Sequence, residues 1–241
     1  MRDYNVELKN RIEFIQNLLK ASGTNAIVYG NSGGKDSALV GILCKKACDN
    51  TLGVMMPCQS KRNFGEDMQD GEAVAKQFGI ETVTVDLSSV KTAVCDNVNP
   101  VCTISDQALA NIAPRLRMTT LYAIAQTRSA LVAGTGNRSE AYMGYFTKWG
   151  DGAYDFNPIA DLTVTEIYEF LKFLNAPENI IKKAPSAGLF EGQTDESEMG
   201  VTYKAIDDYI LHGTGSEHDI KIIESAHKRS EHKRVPSVQY K

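Results

Sequence analysis

The sequence has 241 residues, enough to bury a full core as one large α/β domain, with room for only a small second one. A hydrophobic fraction of 42%, a charged fraction of 23% and a net charge of −4 describe an ordinary globular protein with no general attraction to nucleic acid or an anionic membrane, so any anionic ligand must be held by local positive groups. No apolar run approaches the roughly 18 residues of a bilayer span, and the N-terminus leads into an amphipathic segment in place of an apolar signal core, so a cytoplasmic protein is expected.

Along the chain, Leu8, Ile12, Ile15, Leu18 and Leu19 repeat at helical spacing, which predicts a helix over residues 6–20 with Gly23 as its stop. Ala26-Ile27-Val28-Tyr29 reads as a buried strand, followed by a Gly/Ser cluster and a helix from Asp36 to about Cys48. Residues 52–56 are the next strand, 66–78 a helix, and 81–87 a strand in which Val83 and Val85 alternate with Thr and Asp. A long helix is predicted over 106–127 and a further buried strand over 130–133. Residues 134–161 are polar, aromatic and glycine-rich with little periodicity, which marks a binding loop. Thr163-x-x-Glu166 is a capping box opening a helix to about Leu174; residues 184–200 are irregular, and helix returns from Ser216.

Strands alternating with helices imply a doubly wound parallel sheet flanked by helices, because parallel strands need helical crossovers. No repeat or linker divides the chain, so residues 1–241 are expected to form one domain. Ligands on such sheets bind at the carboxyl ends of the strands. Cys44, Cys48, Cys58, Cys95 and Cys102 form no C-x-x-C pair and read as free thiols in a reducing compartment.

The strongest motif is Ser32-Gly33-Gly34-Lys35-Asp36-Ser37, between a predicted strand and a predicted helix. Adjacent glycines let backbone N–H groups approach a phosphate, and the helix N-terminus adds its positive dipole end. A carboxylate beside a phosphate is repelled unless a cation lies between them, which makes Asp36 a candidate Mg²⁺ ligand. Asp36 stands where the other common phosphate loop, G-x-x-x-x-G-K-[ST], requires Ser or Thr. A plain glycine turn with Asp36 as an N-cap is the competing structural account.

S-G-G-x-D-S after a strand resembles the signature of the N-type ATP pyrophosphatases, an adenine nucleotide alpha hydrolase-like fold whose members adenylate a carbonyl or carboxylate oxygen and then displace AMP. That resemblance implies ATP as co-substrate, held by Gly30, Asn31, Ser32, Gly33, Gly34, Lys35, Asp36 and Ser37. Four further stretches resemble the ammonia-dependent NAD synthetases within this group, and together they span nearly the whole chain. Arg115-Leu116-Arg117-Met118 implies Arg115 as a contact to deamido-NAD. Gly134-Thr135-Gly136-Asn137-Arg138-Ser139-Glu140 implies Thr135 on ATP and Glu140 on Mg²⁺. A dehydrogenase fingerprint is the competing account of these glycines, but a Gly- and aromatic-rich loop follows them instead of the helix and acidic strand end such a site needs.

Tyr145 to Pro158 contains F-T-K and D-F-N-P, implying Lys148 and Asp155 on the dinucleotide. Glu231-His232-Lys233-Arg234-Val235-Pro236 implies His232 and Lys233, although the same tripeptide recurs at His227-Lys228-Arg229. Two departures stand out. Ser186 replaces the threonine that touches ATP in the family, keeping a hydroxyl, and Val164 occupies the place of an ATP-binding lysine. Lys182, Lys183 or Lys35 could supply the missing charge.

The resemblance thus implies ATP-dependent amidation of deamido-NAD through an acyl-adenylate, with no covalent nucleophile and a homodimeric assembly. The alternatives are another ligase of the group, such as a GMP synthetase core, or a nucleotide-binding regulator that lost catalysis. Free ammonia is the expected nitrogen donor, since no stretch reads as a glutaminase and no cysteine sits in a strand-to-helix nucleophile turn.

Overall fold

In a computed structural model, which describes residues 2–60, 64–183 and 195–240, four parallel strands form one sheet in the order β3-β2-β1-β4. They are β1 (Ile27–Gly30), β2 (Thr51–Met55), β3 (Glu81–Thr84) and β4 (Leu131–Ala133), in register as Val28 opposite Leu52 and Val132, and Gly53 opposite Thr82. β1 and β2 are almost wholly buried and apolar, as strands covered on both faces must be.

The first helix, α1 (Tyr4–Ser22), starts on Asp3, whose carboxylate accepts from the backbone N–H groups of Asn5 and Val6, and stops at Gly23 in the left-handed region. α2 (Lys35–Ala47) follows the Gly/Ser cluster and is buried on nearly every side, from Ser37 to Cys44. With α1, α3 (Glu66–Phe78), α7 (Val164–Phe173) and α8 (Glu178–Lys182), it packs a core on one face around Leu39, Ile42, Leu43, Ile159, Phe170 and Ile180. Tyr29 fits between sheet and helix because Gly41 and Gly53 leave it room: a Cβ on Gly41 would lie 2.4 Å from its hydroxyl oxygen.

On the other face, α5 (Asp106–Thr127) covers Val28, Val54 and Val132, and α4 (Ser88–Val98) lies beside it. A third cluster joins α6 (Arg138–Met143), α7, α10 (Tyr203–His212) and α11 (Glu217–Arg229) through Met143, Val164, Tyr203, Ile206 and Ile223. The remaining pieces are α9 (Asp195–Met199) and a 3₁₀ turn, Glu231–Lys233. Among the described residues, no helix is long and apolar enough to cross a membrane.

The sheet is the doubly wound parallel arrangement expected from the alternation of elements. Two differences are instructive. The predicted 81–87 strand ends at Thr84, and α4 begins at Ser88 with no buried residue to give it an apolar stripe. Only local signals set that helix, such as Asp86 accepting from the Ser88 N–H at 2.8 Å. Residues 134–161, read as loop, contain the six-residue α6, set by an Asn137/Glu140 capping box instead of by periodicity.

Candidate active site

The loop between β1 and α2 turns at Gly33, whose φ of +69° and whose missing side chain are both required: a Cβ there would lie 2.0 Å from the Asp67 carbonyl oxygen. The loop is built from its own side chains. Ser32 Oγ donates to Ser37 Oγ at 3.1 Å and accepts from the Gly34 N–H at 3.3 Å. Ser37 Oγ in turn donates to the Gly34 carbonyl at 3.0 Å. Asn31, buried, donates to the Gly71 carbonyl at 3.1 Å and accepts from the Gly33 N–H at 3.4 Å. The serines read as phosphate contacts thus shape the loop, while Gly34 caps α2 with no side-chain acceptor on the helix's first N–H groups.

Asp36 and Glu140, predicted to share a cation, stand on two elements that face each other. Asn137 spans them: its Nδ2 donates to Asp36 Oδ1 at 3.0 Å, and its backbone N–H donates to Glu140 Oε2 at 3.3 Å. Their remaining oxygens face Lys35 Nζ, 2.8 Å from Asp36 Oδ2 and 3.9 Å from Glu140 Oε1. Lys35 is only 6% exposed, and its ammonium lies 5.5 Å from the centre of the Tyr203 ring. Burial alone would weaken that ammonium, but the two carboxylates outweigh it and hold its pKa above the usual lysine range. Burial, and then the neighbouring Asp36, raise the Glu140 pKa, with Lys35 opposing.

Asp36 and Glu140 are hard oxygen donors converging on one cation, which fits an ion that takes its other ligands from phosphate and water. Among the described residues, no group of three or more His, Cys, Asp or Glu side chains could hold a metal without such help.

The position of Glu140 depends on a residue that the sequence did not single out. Asp207, buried on α10, accepts from Ser139 Oγ at 2.5 Å, and from the Thr165 N–H and Oγ1 at 2.8 and 2.7 Å. One carboxylate therefore fixes the first turns of α6 and α7. Val164 is buried, and its N–H donates to Ser139 Oγ at 3.2 Å. Of the three lysines that could replace the missing family lysine, Lys182 is exposed and paired with Glu178. Lys183 bridges Asp67, Asp70 and the Gly33 carbonyl at 2.8, 2.5 and 3.3 Å, and Lys35 sits at the carboxylate pair. Ser186 lies outside the described residues.

A cavity of about 700 Å³ opens over the carboxyl ends of the strands, the size range of a small-molecule site. Gly30, Asn31, Ser32, Gly34, Lys35, Asp36, Ser37, Thr135 and Glu140 all line it. Met55, Met56, Pro57, Met118 and Leu121 give part of its wall an apolar character, and Phe146, Thr147, Asp151 and Lys233 also line it. Asp195 also lines it, accepting from Tyr203 and Tyr145 hydroxyls at 3.0 and 3.4 Å. Arg117 does too, donating to the Met56 carbonyl at 3.1 Å. The sequence offered no signal for Asp195, and for Arg117 only its place two residues after Arg115.

The five residues assigned to the dinucleotide divide. Lys233 lines the cavity and donates to the Gly144 and Phe146 carbonyls at 2.8 and 2.7 Å. Lys148 reaches the His232 carbonyl at 2.7 Å, and Arg115 the Lys148 carbonyl at 3.3 Å, so three of the stretches meet in one chain of contacts. Asp155 stands apart in the loop that lies against β4, accepting from the Val132 N–H at 2.7 Å and the Tyr122 hydroxyl at 3.2 Å. Between the two basic tripeptides the structure separates the roles: His227 stacks on Tyr142 on α11, whereas His232-Lys233 faces the loop carrying Lys148.

Known proteins match this chain over nearly its whole length. The family model described as NAD synthase matches residues 7–238. The NH(3)-dependent NAD(+) synthetase of Carboxydothermus hydrogenoformans is 45% identical over 231 residues, 94% of each chain. Among solved structures, the NMN synthetase of Francisella tularensis superposes with a TM-score of 0.94 at 35% identity, covering 100% of this chain and 99% of that one. The NH3-dependent NAD synthetase of Campylobacter jejuni superposes with a TM-score of 0.80 at 30% identity over the whole of both chains. This chain belongs to the NAD synthase family.

Proposed function

We propose that the chain is an ATP-dependent, AMP-forming ligase that amidates the nicotinate carboxylate of deamido-NAD with ammonia to give NAD. The observation that carries this reading is the phosphate loop and Glu140 facing each other across one cavity through Asn137, Asp36 and Lys35. A carboxylate is a poor acyl donor because its leaving group is oxide. Attack of that carboxylate on the α-phosphate, with pyrophosphate leaving, turns it into an acyl-adenylate; ammonia then attacks the carbonyl and AMP departs.

The protein's part is positioning and charge neutralisation. The N–H groups of the first turn of α2, which carry no side-chain cap, would face the polyphosphate, and the methionine-lined wall of the cavity suits a purine. Asp36 and Glu140 would hold Mg²⁺, which when bound offsets charge on the phosphates. Arg115, Lys148, Asp155, His232 and Lys233 are assigned to the dinucleotide, with Thr135 and Ser186 on ATP. The assembly is a homodimer formed on the β3/α4/α5 side. There the 22-residue α5 buries only Ala113 and Ala125, and α4 buries nothing, within one subunit. The protein is assigned to the cytoplasm as one domain.

A second acceptor is favoured by the close superposition on a protein named NMN synthetase: nicotinate mononucleotide in place of the dinucleotide. Purified protein supplied with ATP, Mg²⁺ and ammonium chloride, with either nicotinate nucleotide, separates the two by AMP release and the amide formed. AMP and NAD from deamido-NAD support the first reading; faster amidation of the mononucleotide replaces it with the second. ATP binding without AMP release from either refutes both.

A further inference from the structure

Lys35 is the one residue of the phosphate loop whose placement phosphate binding does not explain. Its side chain is buried and ends between Asp36 and Glu140, with the ammonium 5.5 Å from the centre of the Tyr203 ring. Taking an ammonium out of water costs several kcal/mol unless carboxylates surround it. Here they do, on the side where a metal would enter. Each carboxylate has one oxygen on Asn137, and the other faces Lys35 Nζ. An ion binding this pair must reach the oxygens that Lys35 already covers.

We propose that Lys35 is a resident counter-cation of the Asp36–Glu140 pair, so that a divalent ion enters this site only by displacing the lysine toward an incoming polyphosphate. The proposal rests on the assignment of Asp36 and Glu140 as metal ligands. With Lys35 in place the trio carries at most one net negative charge, so a divalent ion added alone leaves it net positive beside the N-terminus of α2. With a nucleotide present, the phosphates accept both the lysine and the ion. The site therefore refuses free metal and takes metal with nucleotide, and Lys35 is a positioning residue that sets this order.

The test is Mn²⁺ binding, followed by the EPR signal of the free ion, in wild type, Lys35→Met, Lys35→Gln and Lys35→Met/Asp36→Asn, each with and without α,β-methylene-ATP. Removing one positive charge at contact distance from the ion should tighten nucleotide-free Mn²⁺ binding by at least about tenfold in either single variant. The double variant should lose that gain. The nucleotide analogue should strengthen Mn²⁺ binding far more in wild type than in Lys35→Met, a difference that a merely structural lysine does not produce. Unchanged or weaker nucleotide-free binding in both folded single variants, checked by circular dichroism, overturns the proposal. A gain that persists in the double variant overturns it too. Failure of the metal assignment itself is seen separately, as wild-type Mn²⁺ binding with the analogue that Asp36→Asn leaves intact.

Discussion

Replacing Asp207 with alanine should destabilise the protein by about 2–4 kcal/mol, and replacing it with asparagine by only about 1 kcal/mol. The figure follows from the three hydrogen bonds this carboxylate accepts. Ser139 is fully buried, so its hydroxyl loses its acceptor with no water to replace it, a penalty of about 1–3 kcal/mol. Thr165 is exposed, so its two donors can turn to water and lose only about 1 kcal/mol between them. An asparagine keeps the shape, still accepts from Thr165, and can donate its amide to Ser139 Oγ. For a chain of this length, about 2–4 kcal/mol lowers Tm by roughly 4–16 °C. The assay is thermal and urea unfolding of both variants, with ATP-dependent AMP release measured well below the transition. There Asp207→Ala should also weaken the dependence on divalent ion, because Ser139 precedes the carboxylate of Glu140. An alanine variant within about 1 kcal/mol of wild type, or an asparagine variant as damaged as the alanine one, would refute the reasoning.

Gly33→Ala should abolish ATP binding without unfolding the protein, since its Cβ would stand 2.0 Å from the Asp67 carbonyl and force the loop off α3; retained binding in a nucleotide titration counts against the loop's role. Tyr29→Phe should raise stability by about 1 kcal/mol in urea unfolding, because the buried Tyr29 hydroxyl has no hydrogen-bond partner among the described residues. Glu140→Gln should flatten the pH dependence of stability. With its pKa raised by burial and Asp36, Glu140 keeps in the folded state a proton that the unfolded chain has lost, so stability falls as pH rises from the ordinary carboxylate range toward the raised value. Tm measured across that interval should fall in wild type and less in the variant. Lys148→Ala should weaken deamido-NAD binding by about one to two decades and ATP binding little, the loss of one charge-assisted hydrogen bond. Equal weakening of both ligands in calorimetry reverses the assignment.

What could be read from the sequence depended on whether a residue's role is local. The phosphate loop was legible because its conformation is set within six residues: Gly33 needs its positive φ, and the serines close the turn. β1, β2 and α2 were legible because burial on all sides leaves unbroken apolar runs. α4 was not, since nothing in it is buried to set a period, and neither was α10, where only Tyr203, Ile206 and Asp207 are fully buried. The site was half legible for the same reason. Asp36 and Glu140 stand in recognisable motifs. The groups that hold them, Asn137 and Asp207, act across 101 and 68 residues of chain, to Asp36 and to Ser139 respectively. A contact of that span leaves no spacing to recognise.

The same distinction explains why the site's lysines were ambiguous in sequence and are distinct in space. A lysine near a phosphate loop can lie on the ligand, on a carboxylate or in water, and its neighbours in the chain do not decide among these. In the fold, Lys183 is clasped by Asp67 and Asp70 against the loop, Lys35 by Asp36 and Glu140, and Lys148 by the backbone of His232. Among the described residues, Lys35 and Lys183, which line the cavity, are thus paired with carboxylates before any anion arrives. A polyphosphate entering this cavity exchanges partners with charges already in place instead of gathering them from solvent. Its net attraction is the difference between two sets of ion pairs, and a difference of that kind favours an anion with several charges over one with a single charge. On the proposed function, this arrangement would favour a triphosphate through the protein's own carboxylates as much as through its lysines.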